Sequence, residues 1–201
     1  VDIAMVDCQI SMLNYMATMH FLSGKDPYPI GNSHFVHVPY DTFRCSDGFI
    51  VIAVITDNFW QNLKKVVTCH EFEDAGYDTQ PGRWQAREFI NSKLNDILVE
   101  HSCAYWLERL DEQRIPCSSV NNFSQAMADP QVLHRNMVVE LGHPNGGRTR
   151  GPGNPIKMSR TSEESFSCAP LLGGDTDAVM SELLDMDEGE IQALKVEGVI
   201  G

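Results

Sequence analysis

The sequence has few basic residues and lacks the features that direct a protein to nucleic acid or into a membrane. Fifteen Lys and Arg are set against 28 Asp and Glu, so the formal net charge is −13. Such a surface repels nucleic acid and anionic lipid, although a local basic pocket for a phosphorylated ligand is compatible with it. No apolar run approaches the ~20 residues that a membrane-spanning helix needs. The first residues are not basic, so we expect no signal peptide of the usual form. From the net charge and the lack of a long apolar run, we expect no nucleic-acid partner and no membrane partner.

Close cysteine pairs and the common catalytic motifs are also absent. The six cysteines are Cys8, Cys45, Cys69, Cys103, Cys117 and Cys168. Their scattering, without a C-x-x-C pair, predicts reduced thiols in a reducing compartment, here the cytoplasm, and argues against a structural zinc site. G-x-G-x-x-G, Walker A, G-x-S-x-G and H-E-x-x-H do not occur, so the chemistries that these motifs carry have no support.

What is present is the composition of an ordinary globular protein, 42% apolar and 21% charged, with both strand and helix patterns. Asp47-Gly48 and the apolar run 49–55 predict a hairpin that ends in a buried strand. Apolar residues at helical spacing predict a helix with Asp57 as its N-cap, a helix that begins near Trp84 and a helix capped by Ser102. These elements together predict a compact α+β unit at roughly residues 35–121.

Shorter elements are predicted on the C-terminal side of this unit. They are a helix capped by Ser124, a helix restarted at Asp129-Pro130, a hairpin over 137–150 with a turn at 143–147, irregular backbone over 151–155, an exposed loop over 161–170, and helices over 176–184 and 187–196. Asp187 and Glu190 stand in capping-box order at the start of the last helix.

Residues 1–22 form a pattern of a different kind, a predicted helix that is apolar on almost every face. Met5, Met12, Met16 and Met19 fall near helical spacing, and we interpret them as core filler. A helix of this kind is buried inside a larger body. We therefore expect an upstream segment before Val1, which is not a methionine.

Two groups of side chains are candidates for chemistry on the pattern alone. The loop 31–34, Gly-Asn-Ser-His, offers backbone amides and short polar side chains to a ligand, but an ordinary surface turn explains it equally well. His34 and His37 lie beside Asp41, yet a metal site needs a further ligand from elsewhere, so packing histidines are the favoured interpretation and we expect no metal.

Cysteine is the other candidate nucleophile. Cys45 and Cys117 have no histidine or basic neighbour in the sequence, and a reactive thiolate needs one. Buried structural thiols are therefore the favoured interpretation.

A series of short blocks then follows in a fixed order along almost the whole chain. The blocks are Val1-Asp2-Ile3-Ala4 with Asp7; Gly31-Asn32 with His34; Pro39-Tyr40 with Phe43; Asp47-Gly48; Ile115-Pro116-Cys117 with Val120-Asn121; Ala128-Asp129-Pro130-Gln131-Val132; Pro152-Gly153-Asn154-Pro155-Ile156; Ala169-Pro170-Leu171-Leu172-Gly173; and Val199. In this order they resemble the C-terminal part of the class III CoA-transferase family, also called the CaiB/BaiF family.

The resemblance implies an α/β fold in which a small α+β domain is inserted between segments of a Rossmann-like large domain, and an interlocked homodimer. It divides the chain into 1–30, the end of the N-terminal half of the large domain with a linker; 31–136, the small domain; and 137–201, which returns to the large domain. The chain would then hold only the C-terminal part of the fold.

The resemblance also implies a mechanism, the transfer of CoA between an acyl-CoA thioester and a free carboxylic acid. A family aspartate carries the acyl group as a mixed anhydride and then carries CoA as a thioester. That aspartate lies upstream of the helix that Asp2 and Asp7 match, so we expect no catalytic residue in this chain and no activity from it alone. Coenzyme A thioester is a substrate, and no bound cofactor is expected.

The part of the active site that the chain retains, by resemblance, is the small-domain loop. Its candidate residues are Gly31, Asn32, His34 and Tyr40.

Departures from the family pattern leave alternatives. The run of glycines found in oxalate-type members is missing, and L-L-G-E-H-T appears as residues 171–176, Leu-Leu-Gly-Gly-Asp-Thr. A 2-methylacyl-CoA racemase relative is the second interpretation, but Thr56 stands where racemases carry an acid, with Asp57 adjacent. The third is a non-catalytic domain that binds a ligand or a partner; the apolar helix 1–22 argues against it, because that helix would be exposed.

Overall fold

The computed structural model describes residues 2–143, 146–161 and 166–200. The chain forms two compact units, Val1–Val120 and Asn121–Gly201, which are described separately below. Val1, part of the predicted turn 143–147 and part of the predicted loop 161–170 lie outside the described residues. The division into segments 1–30, 31–136 and 137–201 stays a prediction.

The first unit contains six described α-helices and one sheet. The helices are α1 (Met5–Met12), α2 (Tyr15–Ser23), α3 (Asp57–Val67), α4 (Gln80–Gln85), α5 (Arg87–Leu98) and α6 (Cys103–Glu112), and the strands are β1 (Tyr40–Arg44), β2 (Phe49–Ala53) and β3 (Cys117–Ser119). Two 3₁₀ turns, His70–Glu73 and Ala75–Tyr77, join α3 to α4.

The sheet is antiparallel in the order β1-β2-β3, with Phe43 opposite Ile50. The predicted hairpin is confirmed, and its turn is closed by the Cys45 N–H donating to the Gly48 carbonyl at 2.9 Å. The third strand was not predicted, because its three residues, Cys-Ser-Ser, have no apolar alternation and form a strand only by pairing with β2.

The core of this unit lies between the sheet and α3, α5 and α6. Its fully buried large side chains include Phe43, Ile50, Ile52, Trp60, Leu63, Phe72, Ile90, Leu94, Leu98 and Leu110. Each contributes roughly 1.5–3 kcal/mol when it is removed from water. This core holds the start of β1, and therefore the candidate loop before it, on a rigid support.

The capping residues differ in part from prediction. Ser102 caps α6 as predicted, accepting from the Tyr105 N–H. Thr56, not Asp57, caps α3 by accepting from the Phe59 N–H. Asp57 is instead the first helical residue, where a carboxylate also suits the positive end of the helix dipole.

The N-terminal segment is not one helix. Asn14, with φ 52° and ψ −134°, breaks it into α1 and α2. The predicted burial is not found within this chain either, since neither helix contains a buried residue and Met5 and Leu22 are 86% and 84% exposed. No described helix combines the length and the apolar character needed to cross a bilayer.

The second unit contains, in chain order, α7 (Phe123–Ala128), α8 (Pro130–His134), β4 (Val138–Gly142), β5 (Arg148–Pro152), α9 (Thr176–Leu184) and α10 (Glu188–Val196). The two strands pair antiparallel, and the predicted helix over 176–184 is confirmed. Asp129 caps α8, and the predicted capping box of Asp187 and Glu190 begins α10.

Two predictions for this unit were wrong. Asn122 caps α7 through a capping box with Gln125, whereas Ser124 was the predicted cap. Gly151 and Pro152 belong to β5 although irregular backbone was predicted; a proline is tolerated there because each strand of a two-stranded sheet is an edge strand.

Candidate functional site

The candidate loop is a turn that folds back onto the start of β1. Gly31 has φ +66°, a conformation that favours glycine. The His34 N–H donates to the Tyr40 carbonyl at 2.9 Å, and the His34 ring stacks on Tyr40 with centroids 5.0 Å apart and planes 16° apart. The structure therefore brings His34 and Tyr40 together, while Gly31 and Asn32 lie exposed on the turn.

The His34 ring is also fixed by its own loop. Its Nδ1 accepts from the Val36 N–H at 3.0 Å and from the His37 N–H at 3.1 Å. Phe35 stacks on the ring, with centroids 4.5 Å apart and planes 20° apart. Burial, and secondarily the nearby His37, lower the pKa of His34 below its usual value.

Asp41 joins the loop to α5. Its carboxylate accepts from the Ser33 hydroxyl, from the Thr42 N–H at 2.7 Å and from Asn91 Nδ2 at 3.4 Å. Because its carboxylate oxygens accept these hydrogen bonds, Asp41 holds the loop in position. Within residues 2–143, 146–161 and 166–200, no group of three or more His, Cys, Asp or Glu is arranged to hold a metal ion.

Arg83 is the residue that sequence analysis missed. It is fully buried, and its Nε donates to the Val38 carbonyl at 2.8 Å while Nη1 donates to the Tyr77 carbonyl at 3.0 Å. Nη2 contacts Asp57 Oδ1 at 2.8 Å. The guanidinium therefore ties the end of the candidate loop to the start of α3.

Gln80 completes this anchor. Its amide nitrogen donates to the Val36 carbonyl, and its oxygen accepts from Arg83 Nη2 at 3.0 Å. Helical spacing gives no signal for Arg83, because α4 ends at Gln85 and the apolar face of Ile90 and Leu94 belongs to the separate helix α5. The burial of this guanidinium is known only from its partners in the structure.

A cavity of about 330 Å³ lies against this loop. It is lined by Tyr28, Pro29, Ile30, Ser33, Arg87, Glu88 and Asn91. The candidate loop therefore borders a concave surface, as small-molecule sites commonly do.

The two cysteines considered as nucleophiles have raised thiol pKa values. Burial, with a hydrogen bond to the Cys103 thiol, raises the pKa of Cys45 to about 12. Burial, and then the nearby Asp111 carboxylate, raise the pKa of Cys117. Because a thiolate is the nucleophilic form, both side chains fit the structural interpretation.

Comparison with known proteins gives one consistent family. The model of CoA-transferase family III matches residues 1–176. The chain is 29% identical over its whole length to succinyl-CoA:glutarate CoA-transferase of Mus musculus, covering 46% of that protein. It is 31% identical, over 92% of its length, to succinyl-CoA:mesaconate CoA-transferase of Haloarcula hispanica, again covering 46%.

Solved structures agree with these relatives. A CaiB/BaiF family protein from Brucella suis superposes with a TM-score of 0.75 at 28% identity, over 91% of this chain and 47% of the other. The predicted fold class is thereby confirmed. The chain spans about half the length of the curated relatives it matches.

Proposed function

The chain belongs to CoA-transferase family III, and from this premise we propose that it is part of an enzyme that moves CoA between an acyl-CoA thioester and a free carboxylic acid. The observation that carries the proposal is the family match over residues 1–176. In the same proposal, residues 31–136 form the small domain, with 1–30 and 137–201 belonging to the large domain of an interlocked homodimer. The exposed apolar side chains of α1 and α2 support a further protein surface over them.

The covalent carrier in this proposal is an aspartate N-terminal to residue 1. Asp2 and Asp7 occupy helix positions of the family pattern and not the position of the nucleophile. Cys45 and Cys117 are poor substitutes because their raised pKa values disfavour the thiolate. The 201 residues alone are therefore expected to be inactive.

These residues contribute one wall of the active site through the loop that holds His34 and Tyr40. Arg83 and Asp41 fix the two ends of this loop to the core. A site held on rigid supports keeps its donors in place as charge develops during the reaction.

The substrates in this proposal are succinyl-CoA as donor and a second dicarboxylic acid as acceptor. Two relatives from distant organisms are named for transfer from succinyl-CoA, one to glutarate and one to mesaconate. The racemase alternative needs a free acid near residue 56, but Thr56 caps α3 and the carboxylate of Asp57 is engaged by Arg83.

The test compares this chain with a version extended upstream to the full length of its relatives. Each is incubated with succinyl-CoA and glutarate, with and without hydroxylamine, and analysed by intact mass. We expect a succinyl or CoA adduct on the extended protein alone, and we expect hydroxylamine to remove it by cleaving the anhydride or thioester bond. Acetyl-CoA with acetate is the matched control for the dicarboxylic class and should react far more slowly.

Each contrary result refers to a different part of the proposal. An adduct on the 201-residue chain would show that the nucleophile lies within it. Equal rates with acetate would contradict the dicarboxylic class while leaving CoA transfer intact. No adduct and no CoA exchange on either protein would contradict the transferase function and favour a binding domain.

A further inference from the structure

Two backbone N–H groups point at the same nitrogen of the His34 ring. They belong to Val36 and His37 and lie 3.0 Å and 3.1 Å from Nδ1. A nitrogen that accepts hydrogen bonds must present its lone pair, so Nδ1 carries no hydrogen here. The neutral ring therefore holds its single proton on Nε2.

The other edge of the same ring has no partner among residues 2–143, 146–161 and 166–200. Among the residues that the structure describes, none hydrogen-bonds to Nε2, and the side chain is partly exposed. Nε2 lies across the ring from Nδ1, so its N–H points away from the backbone amides of the loop. His34 thus offers one unused hydrogen-bond donor at the surface of the loop.

The direction of this donor is fixed. The ring stacks on both Phe35 and Tyr40, and the loop is anchored through the Val38 carbonyl to buried Arg83. Charging the ring would place a proton against two N–H donors, and the His37 ring lies only 4.7 Å away between centroids. The lowered pKa of His34 likewise favours the neutral ring.

We propose that His34, held neutral, donates a hydrogen bond from Nε2 to an oxygen of the acyl group during CoA transfer. This role rests on the function proposed above. When a carboxylate oxygen bonds to the thioester carbonyl carbon, negative charge develops on the carbonyl oxygen. The C–S bond then breaks, and its electron pair leaves on the CoA sulfur. His34 keeps its proton throughout, so it stabilises charge and is not a general acid.

Two substitutions in the full-length protein separate the donor from the structural role of the ring. In His34→Asn the side-chain oxygen accepts from the same loop amides, as in an Asx turn, but nothing replaces Nε2–H. We expect this variant to fold normally and to lose about 100-fold in kcat with little change in KM. His34→Gln extends an amide N–H toward the position of Nε2 and should recover part of the loss.

His70→Asn is the matched control. His70 is exposed in the 3₁₀ turn His70–Glu73, outside the candidate site. Its substitution should leave kcat and KM unchanged. A comparable loss in this control would contradict the donor role, because the loss in His34→Asn would then not depend on the candidate site.

The protonation state has a readout that is independent of activity. Nitrogen NMR of the protein labelled with ¹⁵N-histidine should give a pyridine-type Nδ1 and a pyrrole-type Nε2 for His34, unchanged from about pH 8 down to about pH 6.5. A protonated Nδ1 would overturn the inference.

The kinetic outcomes are equally distinct. If wild type is active and His34→Asn retains full kcat, the donor role is wrong and the ring is only structural. If wild type transfers neither acyl nor CoA groups, the proposed function fails and the donor role fails with it, whatever NMR shows.

Discussion

Replacing Arg83 with methionine is expected to destabilise the first unit by about 3 kcal/mol. The substitution removes the hydrogen-bond donors of a buried guanidinium while keeping most of the apolar volume of the side chain. The guanidinium is fully buried and donates to two backbone carbonyls, those of Val38 and Tyr77, besides its contact with Asp57. Methionine fills the space but donates to neither carbonyl.

The magnitude is derived from the partners that are left behind. A buried acceptor without a donor costs about 1–3 kcal/mol, so two carbonyls cost about 2–6 kcal/mol if water replaces neither donor. The contact with the Tyr77 carbonyl is only partly buried, which places the expected loss toward the lower end, at about 3 kcal/mol. Asp57 adds less, since its side chain is 56% exposed, and an exposed pair contributes about 0–1 kcal/mol. Asp57→Asn should therefore cost under about 1 kcal/mol.

Urea unfolding followed by tryptophan fluorescence measures both effects. All three tryptophans, Trp60, Trp84 and Trp106, lie in the first unit, so the signal reports the unfolding of that unit. A loss below about 1 kcal/mol in Arg83→Met, or an equal loss in Asp57→Asn, would refute the argument that the buried carbonyls dominate. Arg83→Lys retains the charge but lacks the planar guanidinium with its several N–H donors, so its stability should be closer to that of Arg83→Met than to that of wild type.

Three further perturbations follow from the same structure. At Gly153 a Cβ would lie 2.1 Å from the Asn136 carbonyl oxygen, so Gly153→Ala should destabilise the second unit by about 1–3 kcal/mol. Hydrogen exchange of the backbone amides in that unit measures this loss, and unchanged protection would contradict the close approach. Burial of Cys45 and its pKa of about 12 predict that iodoacetamide labels exposed Cys8 first, and labelling of Cys45 at an equal rate, measured by peptide mass, would be contrary. Burial lowers the pKa of His34 in the folded protein, so the unfolded chain binds this proton more readily. The free energy of unfolding should therefore fall as pH drops below about 6.5, and it should fall more in wild type than in His34→Asn. An equal pH dependence of the two free energies, measured by urea unfolding, would contradict this.

Local patterns predicted the elements that depend on neighbouring residues. The hairpin at Asp47-Gly48, the Ser102 cap and the Asp187 capping box each rest on contacts within a few residues. The break at Asn14 was missed because apolar residues continue on both sides of it, so periodicity contains no interruption. Strand β3 was missed because its existence depends on β2, more than 60 residues earlier in the chain.

The sequence indicated which residues form the candidate loop, but it did not indicate the contacts that hold this loop in position. The pattern of residues 31–40 indicated the loop, and the structure brings His34 and Tyr40 into contact. The contacts that fix this loop reach Arg83, Asn91 and Asp57. Spacing along a helix can indicate that a residue faces the core, but it does not identify which distant carbonyl or carboxylate that residue contacts.

Two charged side chains beside the loop, Arg83 and Asp41, are engaged by protein partners, and this bears on what the loop can bind. Arg83 is satisfied by Asp57 and by carbonyls, and Asp41 is satisfied by hydroxyl and amide donors. The loop itself exposes neutral groups, the Nε2–H of His34 and a glycine turn, whereas the cavity that it borders is also lined by the charged Arg87 and Glu88. The donors to Asp41 are the neutral Ser33 hydroxyl, the Thr42 N–H and the Asn91 amide, so they orient this carboxylate without cancelling its charge. In the proposed function, the neutral Nε2–H of His34 is therefore the group of this loop that suits an acyl oxygen whose charge grows only in the transition state.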